Sequence, residues 1–132
     1  MIVTLRGDLG SGKTTLVRGV LRACGVEGPV RSPTYTLVEH YPVSSLYFYH
    51  FDFYRFMSED EWDDAGFREY FRDDSVCLVE WPERVGGLLA TPDLALSLAH
   101  AADGGRDLRV EASSPEGERC LSALARGVPT SG

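Results

Sequence analysis

Gly7-Asp8-Leu9-Gly10-Ser11-Gly12-Lys13-Thr14-Thr15 is the stretch on which the reading of this chain turns. It fits G-x-x-x-x-G-K-[S/T], the P-loop pattern. Small glycines let successive backbone N–H groups turn inward around a phosphate chain, and the positive end of the following helix faces the same anion. In that frame Gly7, Asp8, Gly10, Ser11, Gly12, Lys13, Thr14 and Thr15 form the phosphate-holding set. The Lys13 ammonium reaches the terminal phosphates and the Thr14 hydroxyl ligates Mg²⁺. Lys13 is the only lysine in the chain; the other twelve basic residues are arginine. A compact point charge fits between phosphates where a planar fork does not. The flanks agree with the pattern, since an apolar strand (Ile2–Leu5) precedes the loop and a helical stripe follows it.

At 132 residues and 43% hydrophobic content the chain is expected to be one domain, 1–126, with a polar tail at 127–132. A net charge of −7 makes it a poor binder of nucleic acid by itself, so any RNA would be held by a partner. Cys24, Cys77 and Cys120 are odd in number and widely spaced, which fits buried, reduced thiols in a cytoplasmic protein better than a disulfide or zinc framework. No apolar run has the length of a membrane span, and the first residues lack the regions of a signal peptide. Asparagine and glutamine are absent altogether. The chain therefore lacks the [N/T]-K-x-D element that reads guanine and the glutamine that orients water in Ras-like sites, so ATP is the expected nucleotide and unaided hydrolysis is expected to be slow.

Past the loop, Thr14–Cys24 reads as a helix with Leu16, Val17, Val20, Leu21 and Cys24 on its apolar stripe and Gly25 as its stop. Arg18 and Arg22 share the other face, either solvated or open to an acidic partner. After the Gly28-Pro29 break, the polar cluster Ser32–Thr36 leads into a strand-like stretch. Its hydroxyls could serve a γ-phosphate or its metal, and an ordinary loop entering a strand explains them equally well. Leu46–Tyr54 has high β-propensity, and alternation puts Phe48, His50, Asp52 and Tyr54 on one face. A carboxylate in an apolar strand is costly unless paired or bound to a cation, which makes Asp52 a site candidate, or else the partner of Arg55. His50 reads as a satisfied core histidine before it reads as a catalyst. Ser58–Phe71 starts like a helix, with Glu59, Asp60 and Glu61 in its first turn, and Gly66 should split it in two. Its acid run reads as a solvated face.

Val76–Glu80 is a short apolar strand ending in an acid. Many strands end so, but downstream of a P-loop this one reads as Walker B-like, a buried parallel strand delivering Glu80 beside Mg²⁺. Trp81 follows, as a nucleotide or partner contact or as a cap on the core. Ala95–Leu98 and Leu108–Ala112 read as a hairpin around Asp103-Gly104-Gly105, and Pro115–Leu124 as a last helix capped by Ser114. The expected fold class is α/β: a three-layer P-loop NTPase with a mixed, mostly parallel sheet flanked by helices and a C-terminal antiparallel hairpin.

Four blocks in order, Gly7–Thr15, Ser32–Val38 (SPTYTLV), His50–Arg55 (HFDFYR) and Val79–Pro82 (VEWP), resemble the TsaE (YjeE) family. That family comprises ATPases of bacterial tRNA threonylcarbamoyladenosine biosynthesis. The resemblance implies ATP binding and hydrolysis, with Mg²⁺, in a complex with TsaB and TsaD, which act on tRNA while the ATPase resets them between turnovers. It implies that Gly10–Thr15 hold phosphates, that Thr14 and Glu80 are the metal ligands, and that Lys13, Asp52 and Glu80 carry ATP turnover. Thr34 and Thr36 would lie in a switch-like loop, and Trp81 near the nucleotide. Relative to the family pattern the chain is short ahead of its first strand, where members carry a helix and part of another strand that help enclose the base. Two rival readings share the loop: a nucleotide-dependent protein-binding module with incidental hydrolysis, and a small-molecule kinase. The kinase reading lacks the arginine-rich lid such enzymes use.

Overall fold

The computed structural model describes residues 1–127 apart from 9, 32, 34, 35, 44 and 45. The elements run β1 (Ile2–Arg6), α1 (Lys13–Ala23), β2 (Val38–Val43), β3 (Leu46–Asp52), α2 (Glu59–Asp64), β4 (Ser75–Glu80), β5 (Leu94–His100), β6 (Arg106–Ala112) and α3 (Pro115–Gly127). Single turns of tighter helix lie at Phe67–Tyr70, Pro82–Arg84 and Gly86–Leu88. The strands form one sheet in the order β2-β3-β4-β1-β5-β6. β3, β4, β1 and β5 are parallel, and antiparallel β2 and β6 close the two ends. Pro42, which has no N–H to give a ladder, sits on edge strand β2, where that costs least.

β1, β3 and β4 lie inside the sheet with most of their residues buried, and their side chains feed two cores in alternation. Val3, Leu5, Phe48, Leu78 and Leu94 pack with Val17 and Leu21 of α1, and α3 adds Cys120 and Leu121 to that side. Tyr49, Phe51, Cys77 and Val79 pack on the opposite side with Phe53, Trp62 and Phe67. Helices therefore cover both faces, as the expected three-layer, mostly parallel arrangement requires. α2 is held by Trp62 alone among its buried residues, and its acids Glu59, Asp60, Asp63 and Asp64 are exposed. None of the described helices is long and apolar enough to cross a membrane.

Two expectations need correction. Cys24 is exposed rather than buried. α1 ends in a Schellman turn, with Gly25 at φ 100°, its N–H donating to the Arg22 carbonyl at 3.1 Å and Val26 N–H to that of Leu21 at 3.0 Å. That reversal tucks Val26 into the core in place of Cys24. Of the other thiols, Cys120 is half-buried and Cys77 is buried, and desolvation pushes the Cys77 thiol up to about 12. Second, β3 stops at Asp52. Tyr54 N–H turns back to Asp52 Oδ1 at 3.0 Å, an Asx-type turn, and Tyr54 is left exposed. The segment from Ser58 starts as a helix, as expected, with Ser58 at the cap position but without a side-chain hydrogen bond; Glu61 Oε1 accepts the Met57 N–H at 3.1 Å. Gly66, at φ 65°, does divide that segment. Ser114 caps α3 as expected, accepting Gly117 N–H at 2.9 Å while donating to Asp93 at 2.6 Å.

Candidate functional site

Parallel strands bring their carboxyl ends to one edge of a sheet, and the loops leaving those ends build the usual ligand crevice. Here the edge is formed by β1, β4 and β3. The register sets Glu80 level with Leu5 on one side and with Asp52 on the other. Glu80 and Asp52 thus share a face, the one that also carries Phe48 and His50 on β3.

The loop leaving β1 is shaped by its glycines. A Cβ on Gly7 would stand 2.6 Å from Ser11 Oγ and 2.8 Å from the carbonyl oxygen of Leu98 on β5. Leu98 O is backbone and cannot swing aside, so Gly7→Ala should displace the loop. We expect that variant to lose about 1–3 kcal/mol of stability, and limited proteolysis should show earlier cleavage near the loop. Gly12, at φ 105°, caps α1 in the left-handed region that glycine alone enters freely. Ser11 is buried behind the loop, and its N–H donates to Asp8 O at 3.0 Å.

Lys13 opens α1 and is 5% exposed. Its ammonium donates to the Gly7 carbonyl and lies 3.6 Å from the centroid of the Trp81 ring. Burial lowers its pKa from the ordinary lysine value, against the upward pull of Glu80, Glu83, Asp52 and Asp8. At the next residue, Thr14 Oγ1 lies 3.1 and 3.0 Å from the two carboxylate oxygens of Glu80. Glu80 Oε2 lies 2.6 Å from His50 Nε2, and both side chains are buried. The carboxylate is therefore fixed from two sides, by the α1 hydroxyl and by the imidazole. Trp81 adopts φ 57°, a left-handed backbone rare for a bulky residue and a form of strain that collects at functional sites. That turn is what places its ring against Lys13, with the Tyr54 ring 5.0 Å away.

Burial pushes the Asp52 carboxyl above its ordinary range; the Tyr54 N–H draws it back, Glu80 raises it further, and His50 and Lys13 lower it. A cleft of about 460 Å³ opens between these groups. Gly10, Gly12, Lys13, Thr14 and Thr15 line its loop side, and Asp52, Glu80 and Trp81, with Tyr54 and Arg55, line the other.

Eight of the residues singled out in the sequence thus meet in one cleft. Gly7, Asp8 and Ser11 are not among its lining residues; Ser11 is buried and Asp8 is exposed. Thr36 is exposed and donates to Val38 O at 3.1 Å, away from the lining groups; Thr34 lies outside the described residues. The neighbouring backbone does reach the site, since Asp52 N–H donates to Leu37 O at 3.0 Å. The sequence reading missed the partner of one contributor and the whole of another. His50 is a core histidine, but its partner is the site carboxylate, and its Nδ1 has no partner among the described residues. Arg106, at the start of β6, donates from Nε to Ser11 O at 3.0 Å and from Nη2 to Gly10 O at 3.5 Å, bracing the loop from behind. His50 carried a signal, its place two residues before Asp52 on one strand face. Arg106 carried none.

These features define a mixed α/β protein with a glycine loop, a lysine and a held carboxylate gathered at the carboxyl edge of its sheet. The family model for threonylcarbamoyl adenosine biosynthesis protein TsaE matches residues 1–108, and the chain belongs to the TsaE family. It is 42% identical over 125 residues to the tRNA threonylcarbamoyladenosine biosynthesis protein TsaE of Haemophilus influenzae, covering 95% of this chain and 78% of that one. The Bacillus subtilis protein of the same name is 38% identical over the same shares. The crystal structure of Bacillus subtilis YdiB superposes with a TM-score of 0.79 at 32% identity, over 95% of this chain and 76% of that one.

Proposed function

We propose that this chain binds and hydrolyses ATP in the threonylcarbamoyladenosine modification of tRNA, as a subunit acting on proteins of the TsaB and TsaD type. The observation that carries the ATPase reading is the convergence of Lys13, Thr14 and Glu80 at the mouth of a glycine loop, with Asp52 alongside. The reading makes this a P-loop NTPase, and the family membership supports the pathway.

The donor set fits Mg²⁺. Thr14 and Glu80 offer hard oxygens at one point, and the described residues hold no cluster of three His, Cys, Asp or Glu that could cage an ion alone. Mg²⁺ is typically held by one or two protein oxygens together with substrate phosphates. Thr14 and Glu80 would hold it, and when bound it neutralises charge on the phosphate oxygens. Lys13, itself buried, supplies a second positive charge beside the phosphates. Asp52 orients a water toward the γ-phosphate and accepts its proton, so that ATP and water become ADP and phosphate. His50 keeps the Glu80 carboxylate turned to the cleft. ATP rather than GTP follows from the missing guanine-reading element. An acidic chain leaves tRNA to its partners.

The test is ATP hydrolysis by the chain alone and with TsaB- and TsaD-type proteins, alongside modification of tRNA by the reconstituted set. Slow turnover alone, a rise of at least about tenfold with partners, and modification that depends on this chain are expected. Equal rates with and without partners would remove the proposed role.

A further inference from the structure

We infer that Arg106 is a positioning residue for the anion-binding loop, holding the Ser11–Gly12 peptide so that its N–H faces the cleft. The inference rests on the ATP reading above. Its basis is the contact of one guanidinium with two turns far apart in sequence. Nε and Nη2 donate to Ser11 O and Gly10 O at 3.0 and 3.5 Å, while Nη1 donates to Gly105 O and Gly104 O at 3.2 and 3.4 Å. The planar fork is suited to such bridging, because its donors keep fixed directions.

The consequence follows from peptide geometry. In a trans peptide the C=O and the next N–H point in opposite directions. Ser11 O is turned to Arg106, so the Gly12 N–H points away from it, and Gly12 lines the cleft. Gly12 also caps α1, where the helix presents its positive end. A glycine at this position leaves the peptide free to flip, because either sign of φ is open to it. A flipped peptide would aim a carbonyl oxygen at an incoming phosphate. The charge-assisted bond from Arg106 opposes that flip and lowers the entropy still to be lost on binding.

The brace is itself anchored. The turn after β5 is closed by Ala101 N–H to Gly105 O at 3.0 Å, Gly104 N–H to Ala101 O at 3.1 Å and Gly105 N–H to Asp103 Oδ1 at 2.9 Å. The same hairpin meets the other end of the loop, where Gly7 has no room for a Cβ beside Leu98 O. The β5–β6 hairpin therefore supports the loop at both ends, and Arg106 is the side chain through which it does so at Gly10 and Ser11. Arg106 itself is exposed and contributes nothing to either core.

The experiment compares Arg106→Ala, Arg106→Lys and the control Arg109→Ala, which removes the same charge from the same strand. Affinity for MgATP is measured by calorimetry, KM and kcat by phosphate release, and order parameters of the Ser11 and Gly12 amides by NMR without nucleotide. Arg106→Ala should bind MgATP about tenfold more weakly, the loss of one bond to a charged group. It should raise KM by a similar factor and move kcat far less, and the order parameters should fall from about 0.85 toward 0.6. Arg106→Lys should lie between, and Arg109→Ala should match wild type. Wild-type affinity and loop order in Arg106→Ala would overturn the inference and leave the ATP reading standing; so would a looser loop without loss of affinity. Should the wild type itself fail to bind MgATP, both fall together. If Arg106→Ala does not fold, Arg106→Lys decides by the same criteria.

Discussion

Lys13→Met is expected to abolish most ATP turnover while leaving the fold at least as stable as before. The Lys13 ammonium is buried, donates to the Gly7 carbonyl and faces the Trp81 ring. Its lowered pKa means that the unfolded chain holds the proton more tightly than the folded one. For a lysine shifted in that direction, the charged form works against folding at every pH below the folded pKa. The penalty relaxes only as pH rises from the folded toward the unfolded value. Methionine has a similar length and no charge to desolvate, and its sulfur packs well against an aromatic ring. Melting at neutral pH should therefore occur at or above the wild-type temperature, read by circular dichroism. Turnover should fall by a factor on the order of 10²–10³, as for removal of one preorganised charge from a transition state. Wild-type hydrolysis in this variant would mean that Lys13 does not meet the phosphates. A large loss of stability would mean that its contacts with Gly7 and Trp81 outweigh its desolvation.

This division of stability from activity runs through the site, and it bears on what could be read from sequence. The loop, the strand before it and the helix after it were legible because their physics is local: an apolar run, glycines at set intervals, a stripe of period 3.6. Glu80 was legible because an acid ending a buried strand has few inexpensive explanations beside a glycine loop. What escaped depended on partners distant in sequence. The order β3-β4-β1-β5 follows from crossovers that no periodicity encodes. The bond from His50 to Glu80 requires the β3–β4 register, since the residues are thirty positions apart. Arg106 reaches Ser11 across 95 positions. Cys24 and Tyr54 were misjudged for the opposite reason. Their periodic patterns continue past the point where a Schellman turn and an Asx turn end the element, and a period carries no record of where it stops.

Asp52→Asn should separate the two surviving readings of the hydrolysis itself. Asparagine keeps the volume and the Oδ1 that accepts the Tyr54 N–H, so β3 should end as it does now. What it removes is a half-buried carboxylate level with Glu80 on the neighbouring strand. Burial, with the charge of Glu80 in support, raises the Asp52 pKa above its ordinary value. An acid shifted upward binds its proton more tightly in the folded state. Its favourable contribution is present at low pH and is lost as pH rises through the folded pKa, so at neutral pH the ionised group is a cost. The variant should therefore melt no lower than wild type at neutral pH, and any gain should shrink on acidification. If Asp52 accepts the proton of the attacking water, kcat should fall by about 10²–10⁴. MgATP affinity should stay the same or tighten, because a negative charge has left the edge of a polyanion site. In wild type the acid limb of the rate profile should lie above the usual aspartate range, and in the variant that limb should vanish. The tRNA modification assay then settles what the turnover is for. Should Asp52→Asn lose hydrolysis yet support modification in the reconstituted system, the chain serves its partners by binding nucleotide, and cleavage of ATP is incidental. Loss of both together ties each round of modification to a phosphate bond broken beside Asp52.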